Sequence, residues 1–176
     1  IEPLFLLDIG FSKIEIANFA KAFSTLSTFL GTFCAPFFII KFGAFNSLTI
    51  LYITHSLSHL LFIPINHSDV SIVLLLLAIG VEDFTSGMLQ SAFLVFLADI
   101  YSPNNREMQN AYIWSIISLT RTIFASLSGS IADIFNNWDM FFLFTFLCTI
   151  PVWFLLFNLR AKYNLNKHYN FDHPQS

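Results

Sequence analysis

Four residues charged at neutral pH stand inside long apolar stretches of this chain: Lys21, Glu82, Asp83 and Arg121. Each is surrounded by runs of Leu, Ile, Phe and Val. A charged side chain at membrane depth is costly, so it marks a pathway or a pairing. The two carboxylates can take up and release a proton. A guanidinium such as that of Arg121 can hold a carboxylate through two parallel hydrogen bonds. Lys21 has two readings. It can pair with an acid, or it can carry its ammonium toward the headgroups along its own methylene stem.

Depth links these residues. With a rise of about 1.5 Å per residue, Lys21 lies roughly 10 Å, Glu82 roughly 16 Å and Arg121 roughly 21 Å from helix ends on one side of the membrane. The ladder puts an acid between two bases, about one turn from each. It predicts that Glu82 lies near Lys21 or Arg121, a pairing that would satisfy charges lipid cannot.

Each charge also continues a stripe of small or hydroxyl residues. Lys21, Thr25, Thr28 and Thr32 share one face, as do Glu82, Ser86 and Gln90, with Asp83 and Gly87 beside them. Arg121, Ala125, Ser128 and Ala132 form a third stripe. Such residues let membrane helices approach and hydrogen-bond. Packing seams account for the serines and threonines, whereas Glu82 and Arg121 point to function. Glu82 is the candidate proton carrier and Asp83 the second. Lys21, Arg121 and Gln90 are candidates for charge pairing or substrate contact.

The remaining polar groups carry less. His55 and His59 are four apart, but the run His55-Ser56-Leu57-Ser58-His59 lacks the acidic residue of a zinc-protease helix, and no third ligand is evident. A hydrogen-bonded role in helix packing is expected, and no metal. Cys34 and Cys148 fall in apolar stretches, where free cysteine packs as a small hydrophobe. Asp99 and Asp133 sit near helix ends, where solvated acids are ordinary. No nucleophile elbow or phosphate loop is present, so neither an enzyme nor a cofactor is expected.

The elements that position these groups follow from composition. Of 176 residues, 56 % are apolar and 11 % charged. A soluble domain carries roughly a quarter charged residues. With a mean hydropathy of +0.69, the chain cannot face water on all sides. The 23 phenylalanines must face lipid or other helices. A net charge of -3 suggests no nucleic-acid partner. About 20 mostly apolar residues cross a bilayer, and the backbone in lipid must be helical. Five spans are predicted, near 14–40, 46–65, 71–100, 108–135 and 140–159, making 1–159 an all-α transmembrane bundle. Lys41-Phe42-Gly43, the stretch from Pro64 to Asp69, the run from Tyr101 to Arg106 and Asn136-Asn137-Trp138-Asp139 carry turn chemistry. Residues 160–176 form a polar tail, predicted to be irregular.

Positive charge sets orientation. Arg160, Lys162 and Lys167 share a side with Lys41 and Arg106, whereas the other side offers Lys13 against Asp8, Glu15, Asp69 and Asp139. The tail is therefore expected to be cytoplasmic. The opening Ile1-Glu2-Pro3, with no initiator Met and no basic leader, reads as the later part of something longer.

The run Ala78-Ile79-Gly80-Val81-Glu82-Asp83-Phe84-Thr85-Ser86-Gly87-Met88 through Ala92-Phe93 resembles a segment of the AmpG-type muropeptide permeases of the major facilitator superfamily. Further segments agree in order. The stretch from Pro3 to Ile16 resembles the junction of that family's seventh and eighth helices. Lys21 falls where the family has a lysine, and Lys41-Phe42-Gly43 resembles its basic-x-Gly turn. Arg121-Thr122 with Ser128-Gly129 resembles the eleventh helix, and Trp138 with Phe141-Phe142 the start of the twelfth. The glycine-rich patch is reduced to Ser86-Gly87-Met88-Leu89, and the first six helices and most of the seventh have no counterpart.

The resemblance implies the C-terminal bundle of a proton-driven importer of anhydromuropeptides, which are small glycopeptides from peptidoglycan turnover. It implies a multi-pass protein of the bacterial inner membrane. The seventh, eighth, tenth and eleventh helices of that superfamily line the cavity, and the charged residues here fall on the eighth, tenth and eleventh. The implied partners are membrane lipid, the substrate and a separately encoded N-terminal half. Two other readings stay open: a non-transporting fragment of a split or degraded gene, and a carrier of another substrate such as acetyl-coenzyme A.

Overall fold

The computed structural model describes residues 20–67, 72–135 and 138–172, with the single positions 7, 12 and 14. Most of the expected opening of the first span, the 68–71 loop and Asn136-Asn137 lie outside the described residues, as do the side chains of Ser128, Ala132, Asp133, Lys162 and Lys167.

Every described element is helical, as an all-α membrane bundle requires. The helices are α1 (Lys21–Phe42), α2 (Ala44–Ser58), α3 (Ile72–Ile100), α4 (Arg106–Phe135) and α5 (Trp138–Asp172). Among the described residues four helices are long and apolar enough to cross a membrane: Lys21–Phe42, Ala44–Ile65, Val73–Ile100 and Trp138–Arg160. The fifth expected span, α4, has 30 residues and a length of about 45 Å, enough to cross. Its composition is less apolar, because Arg106, Glu107, Gln109, Asn110 and Arg121 all lie along it.

Local chemistry sets the breaks. Gly43 has φ 81°, a region that glycine enters without a Cβ penalty. Its N–H closes α1 on the Ile39 carbonyl at 2.8 Å, and its own carbonyl accepts from Ser47 N in α2 at 3.0 Å. The span begun by α2 passes through a 3₁₀ turn, His59–Phe62, into a short helical segment, Ile63–His67. Pro64 lacks an N–H, so the helical bond to the Leu60 carbonyl cannot form and the helix tightens there. Between α3 and α4, the Pro103–Asn105 turn is held by Ser102 N donating to Gln109 Oε1 at 2.9 Å and Tyr101 OH donating to Asn110 Oδ1 at 3.2 Å.

The tail departs from expectation. Helix α5 runs past Arg160 to Asp172. No proline or glycine interrupts the chain between Pro151 and Pro174, and an established helix propagates readily.

Helix α3 is the centre, with α1 and α2 both packed along it and α5 packed on α2 and its 3₁₀ turn. One core gathers Phe62, Ile65, Ile79, Phe141 and Phe142, with the Phe62 and Phe142 rings stacked at 5.2 Å. The other gathers Ala35, Phe45, Leu48, Met88, Ala92 and Leu156.

The α1–α3 seam is not the expected threonine stripe. Its buried face is Ser27, Gly31 and Ala35. A Cβ on Gly31 would run into the Phe84 carbonyl, and one on Gly87 into the Thr28 carbonyl, so the two backbones touch. Thr25 and Thr32 are exposed and donate to their own helix, to Lys21 O at 2.9 Å and Thr28 O at 3.0 Å. The Thr25 and Thr32 hydroxyls are thus spent on their own helix, whereas the glycines permit direct backbone contact. The reduced patch Ser86-Gly87-Met88-Leu89 thus keeps the one glycine the crossing needs.

Helix α4 stands apart. Its main contacts are with α5 and the Pro103–Asn105 turn, and no described side chain from Arg106 to Leu127 is buried. The expected stripe through Arg121 and Ala125 therefore forms no buried seam at these two positions, both of which are exposed.

Candidate functional site

Glu82 and Asp83 are neighbours on α3, so their side chains leave the helix about 100° apart. Each acid faces a different partner. Glu82 turns to the break in α2, where its Oε1 lies 3.2 Å from His59 Nδ1, with the side chains 25 % and 22 % exposed. An N–H of imidazole aimed at a carboxylate is a charge-assisted hydrogen bond, stronger than one between neutral groups.

A second contact lies one turn back. His55 Nδ1 is 3.2 Å from the Oγ1 of Thr85, a buried residue one turn along α3 from Glu82. The Thr85 hydroxyl faces the carbonyls of Val81 and Glu82 at 2.8 and 2.9 Å. Its single proton is committed to its own helix, so it accepts from His55, which assigns the proton to Nδ1 of His55. The His55 and His59 rings meet edge to face at 5.1 Å. Glu82, His59, His55 and Thr85 thus form one continuous polar cluster joining α2 to α3.

Asp83 turns to α1. Ser24 and Thr28 stand within hydrogen-bonding reach of it, and Lys21 acts on it electrostatically. Its Oδ2 is buried with no hydrogen-bond partner among the described residues.

The other sequence candidates are placed differently. Lys21 and Arg121 are exposed, and neither forms an ion pair with Glu82 among the described residues. The place the depth ladder reserved for them is taken by His59. Depth alone treats all helices as neighbours, yet α4 packs chiefly on α5 and Lys21 sits on the Asp83 side of α3. Gln90 is exposed, with its amide 3.5 Å from Ser86 Oγ on the same helix. No group of three metal-ligating side chains occurs among the described residues.

His59 as the partner of Glu82 is what sequence reasoning missed. The signal exists: six residues from the end of its span, His59 lies about 9 Å deep, within about a turn and a half of Glu82. Counting only residues charged at neutral pH hides it. The hydrogen-bonded packing role expected of the two histidines is present, in the His55–Thr85 contact.

No protein-family model and no solved structure matches the chain. Curated relatives do. "Putative transporter AmpG 4" of Rickettsia felis is 32 % identical over 161 residues, 92 % of this chain and 39 % of that protein. "Putative transporter AmpG 1" of the same organism is 30 % identical over 158 residues, 90 % of this chain and 36 % of that protein. "Putative transporter AmpG 1" of Rickettsia prowazekii is 30 % identical over 160 residues, 91 % of this chain and 36 % of that protein. The chain therefore spans a little over a third of the length of these relatives. This helical bundle, with four helices long and apolar enough to cross a membrane among the described residues, is thus similar over nine-tenths of its length to a partial stretch of proteins named "Putative transporter AmpG".

Proposed function

We propose that this chain is the C-terminal half of a proton-coupled secondary transporter that imports anhydromuropeptides. The observation that carries the reading is the Glu82–His59 pair, 3.2 Å apart and joining two helices long and apolar enough to cross a membrane. A carboxylate held there at a cost must be repaid by use, and proton carriage is the use its chemistry suits. Asp83, on the next position, is the second carrier. Lys21, Arg121 and Gln90 are exposed on helices that an N-terminal half would face, and we assign them to substrate contact. The relatives' transporter names support transport over catalysis.

The test is uptake of a labelled anhydromuropeptide by a permease-deficient bacterium that expresses this chain with a separately encoded N-terminal half. Accumulation should follow the proton gradient. Glu82→Gln removes the titrating group and keeps its size, and should reduce accumulation by about 100-fold, the lower end of what proton-transfer groups contribute. Uptake of acetyl-coenzyme A instead would keep the transporter reading and replace the substrate.

We also propose that the protein is inserted in the bacterial inner membrane with its tail in the cytoplasm, on the Lys and Arg bias of its loops. In a background with Cys34 and Cys148 changed to serine, Ser68→Cys should react with an impermeant thiol reagent from outside the cell. Asn104→Cys should react after lysis alone. The opposite pattern would invert the topology.

A further inference from the structure

We propose that the proton handled by Glu82 is shared with His59, so that the two side chains act as one proton-bearing unit, with His55 as the residue that positions it. The inference rests on the transport reading for its consequence in uptake, and on geometry for the pair itself.

At 3.2 Å, His59 Nδ1 and Glu82 Oε1 are joined by one hydrogen bond. A proton moving along it breaks the Nδ1–H bond and forms the Oε1–H bond. Imidazolium and carboxylate become imidazole and carboxylic acid, and the net charge of the pair is zero in both states. Sharing thus leaves the net charge of the pair unchanged, so no uncompensated charge is created between the helices. Taking up one more proton leaves imidazolium beside carboxylic acid, with a net charge of +1. Two groups this close bind protons as a pair, so the added proton belongs to neither residue alone.

His55 fixes the geometry. Its Nδ1–H is tied to Thr85 Oγ1 at 3.2 Å, and Thr85 is tied to the Val81 and Glu82 carbonyls. The His59 ring lies edge to face against a His55 ring that is held to the same turn of α3 as Glu82. The packed elements also carry Asp83, directed to α1; Lys21 on α1, which acts on Asp83; Asp139 in the first turn of α5; and, farther along their helices, Tyr52 on α2, Lys41 in the last turn of α1, Asp99 near the end of α3 and Arg160 on α5. Helix α5 meets the break through Phe141 and Phe142. His59 is also the first residue of the 3₁₀ turn, so a change in its pairing falls where the α2 backbone is least regular.

The test uses the full chain in lipid nanodiscs with ¹⁵N-labelled histidine, titrated by NMR, with His59→Gln identifying the His59 signal. In Glu82→Gln the His59 midpoint should move by about one pH unit or more, the size expected when a charge within a few ångströms is removed. His55→Phe should alter the His59 titration while Glu82 is intact. If Glu82→Gln fails to fold, Glu82→Asp, which retracts the carboxylate by one methylene, serves in its place. With the N-terminal half present, His59→Gln should lose gradient-driven accumulation as fully as Glu82→Gln. An unmoved His59 midpoint overturns the inference, and so does a His59→Gln variant that accumulates substrate normally. A moved midpoint with no uptake in any arrangement leaves the pair standing and overturns the transport reading.

Discussion

Liposomes holding this chain alone, given an inward proton gradient and labelled anhydromuropeptide, should show no saturable uptake. Secondary transporters bind substrate between two repeats and expose it by rocking one against the other. The chain spans 39 % of its relative from Rickettsia felis, and among the described residues α1 and α2 pack along one central helix, α3, with α5 on α2 and α4 chiefly on α5. Helix α4 shows what such a half lacks. No described side chain on it from Arg106 to Leu127 is buried, and Arg121 is exposed. A guanidinium on a bare helix in lipid is left without solvation, a cost that a covering partner would remove. Adding a separately purified N-terminal half should restore uptake, and Glu82→Gln should abolish what is restored. Saturable, gradient-dependent uptake by the chain alone, lost in Glu82→Gln, would make it a working half-size transporter and overturn the prediction.

The second large effect is expected at the α1–α3 crossing. Gly31→Ala and Gly87→Ala each add one methyl, and each methyl meets a backbone carbonyl of the facing helix. A side-chain neighbour could rotate away, but a carbonyl in a helix cannot move without the helix. The loss should reach or pass the upper end of the about 1–3 kcal/mol typical of overpacking. Thr25→Ala is the control. Thr25 is exposed and bonded to its own helix, so its loss should stay within about 0.5 kcal/mol. Thermal melting of the chain in nanodiscs reads both. Wild-type stability in both glycine variants would show that the helices do not cross at this point.

Much of this was legible in the residues. Long apolar runs with 11 % charge can only be membrane helices, because backbone polar groups in lipid have no other partner. One break was legible too: Gly43 turns the chain because it alone accepts φ 81°. Pro64 reads as the start of a turn, yet it lies within the helical segment Ile63–His67, and the loss of its N–H is felt earlier, in the 3₁₀ turn His59–Phe62. The cost of burying a carboxylate singled out Glu82 before any neighbour was known.

Which neighbour it has depended on packing. Periodicity says which residues share a face, not which face turns inward. The polar stripe of Thr25 and Thr32 and the small-residue face of Ser27, Gly31 and Ala35 are both regular, and the second is buried because glycine lets two backbones touch. Depth likewise says which residues lie level, not which helices are adjacent. Lys21, Arg121 and His59 all stand within reach of Glu82 by depth, and adjacency decided among them. The span containing α2 packs on the Glu82 face of α3, α1 takes the Asp83 face, and α4 lies chiefly against α5. The sequence by itself determined the membrane helices, the break at Gly43 and the costly acid. The tertiary structure alone decided its partner, because a hydrogen bond requires two atoms about 3 Å apart, and only the packing of whole helices brings them there.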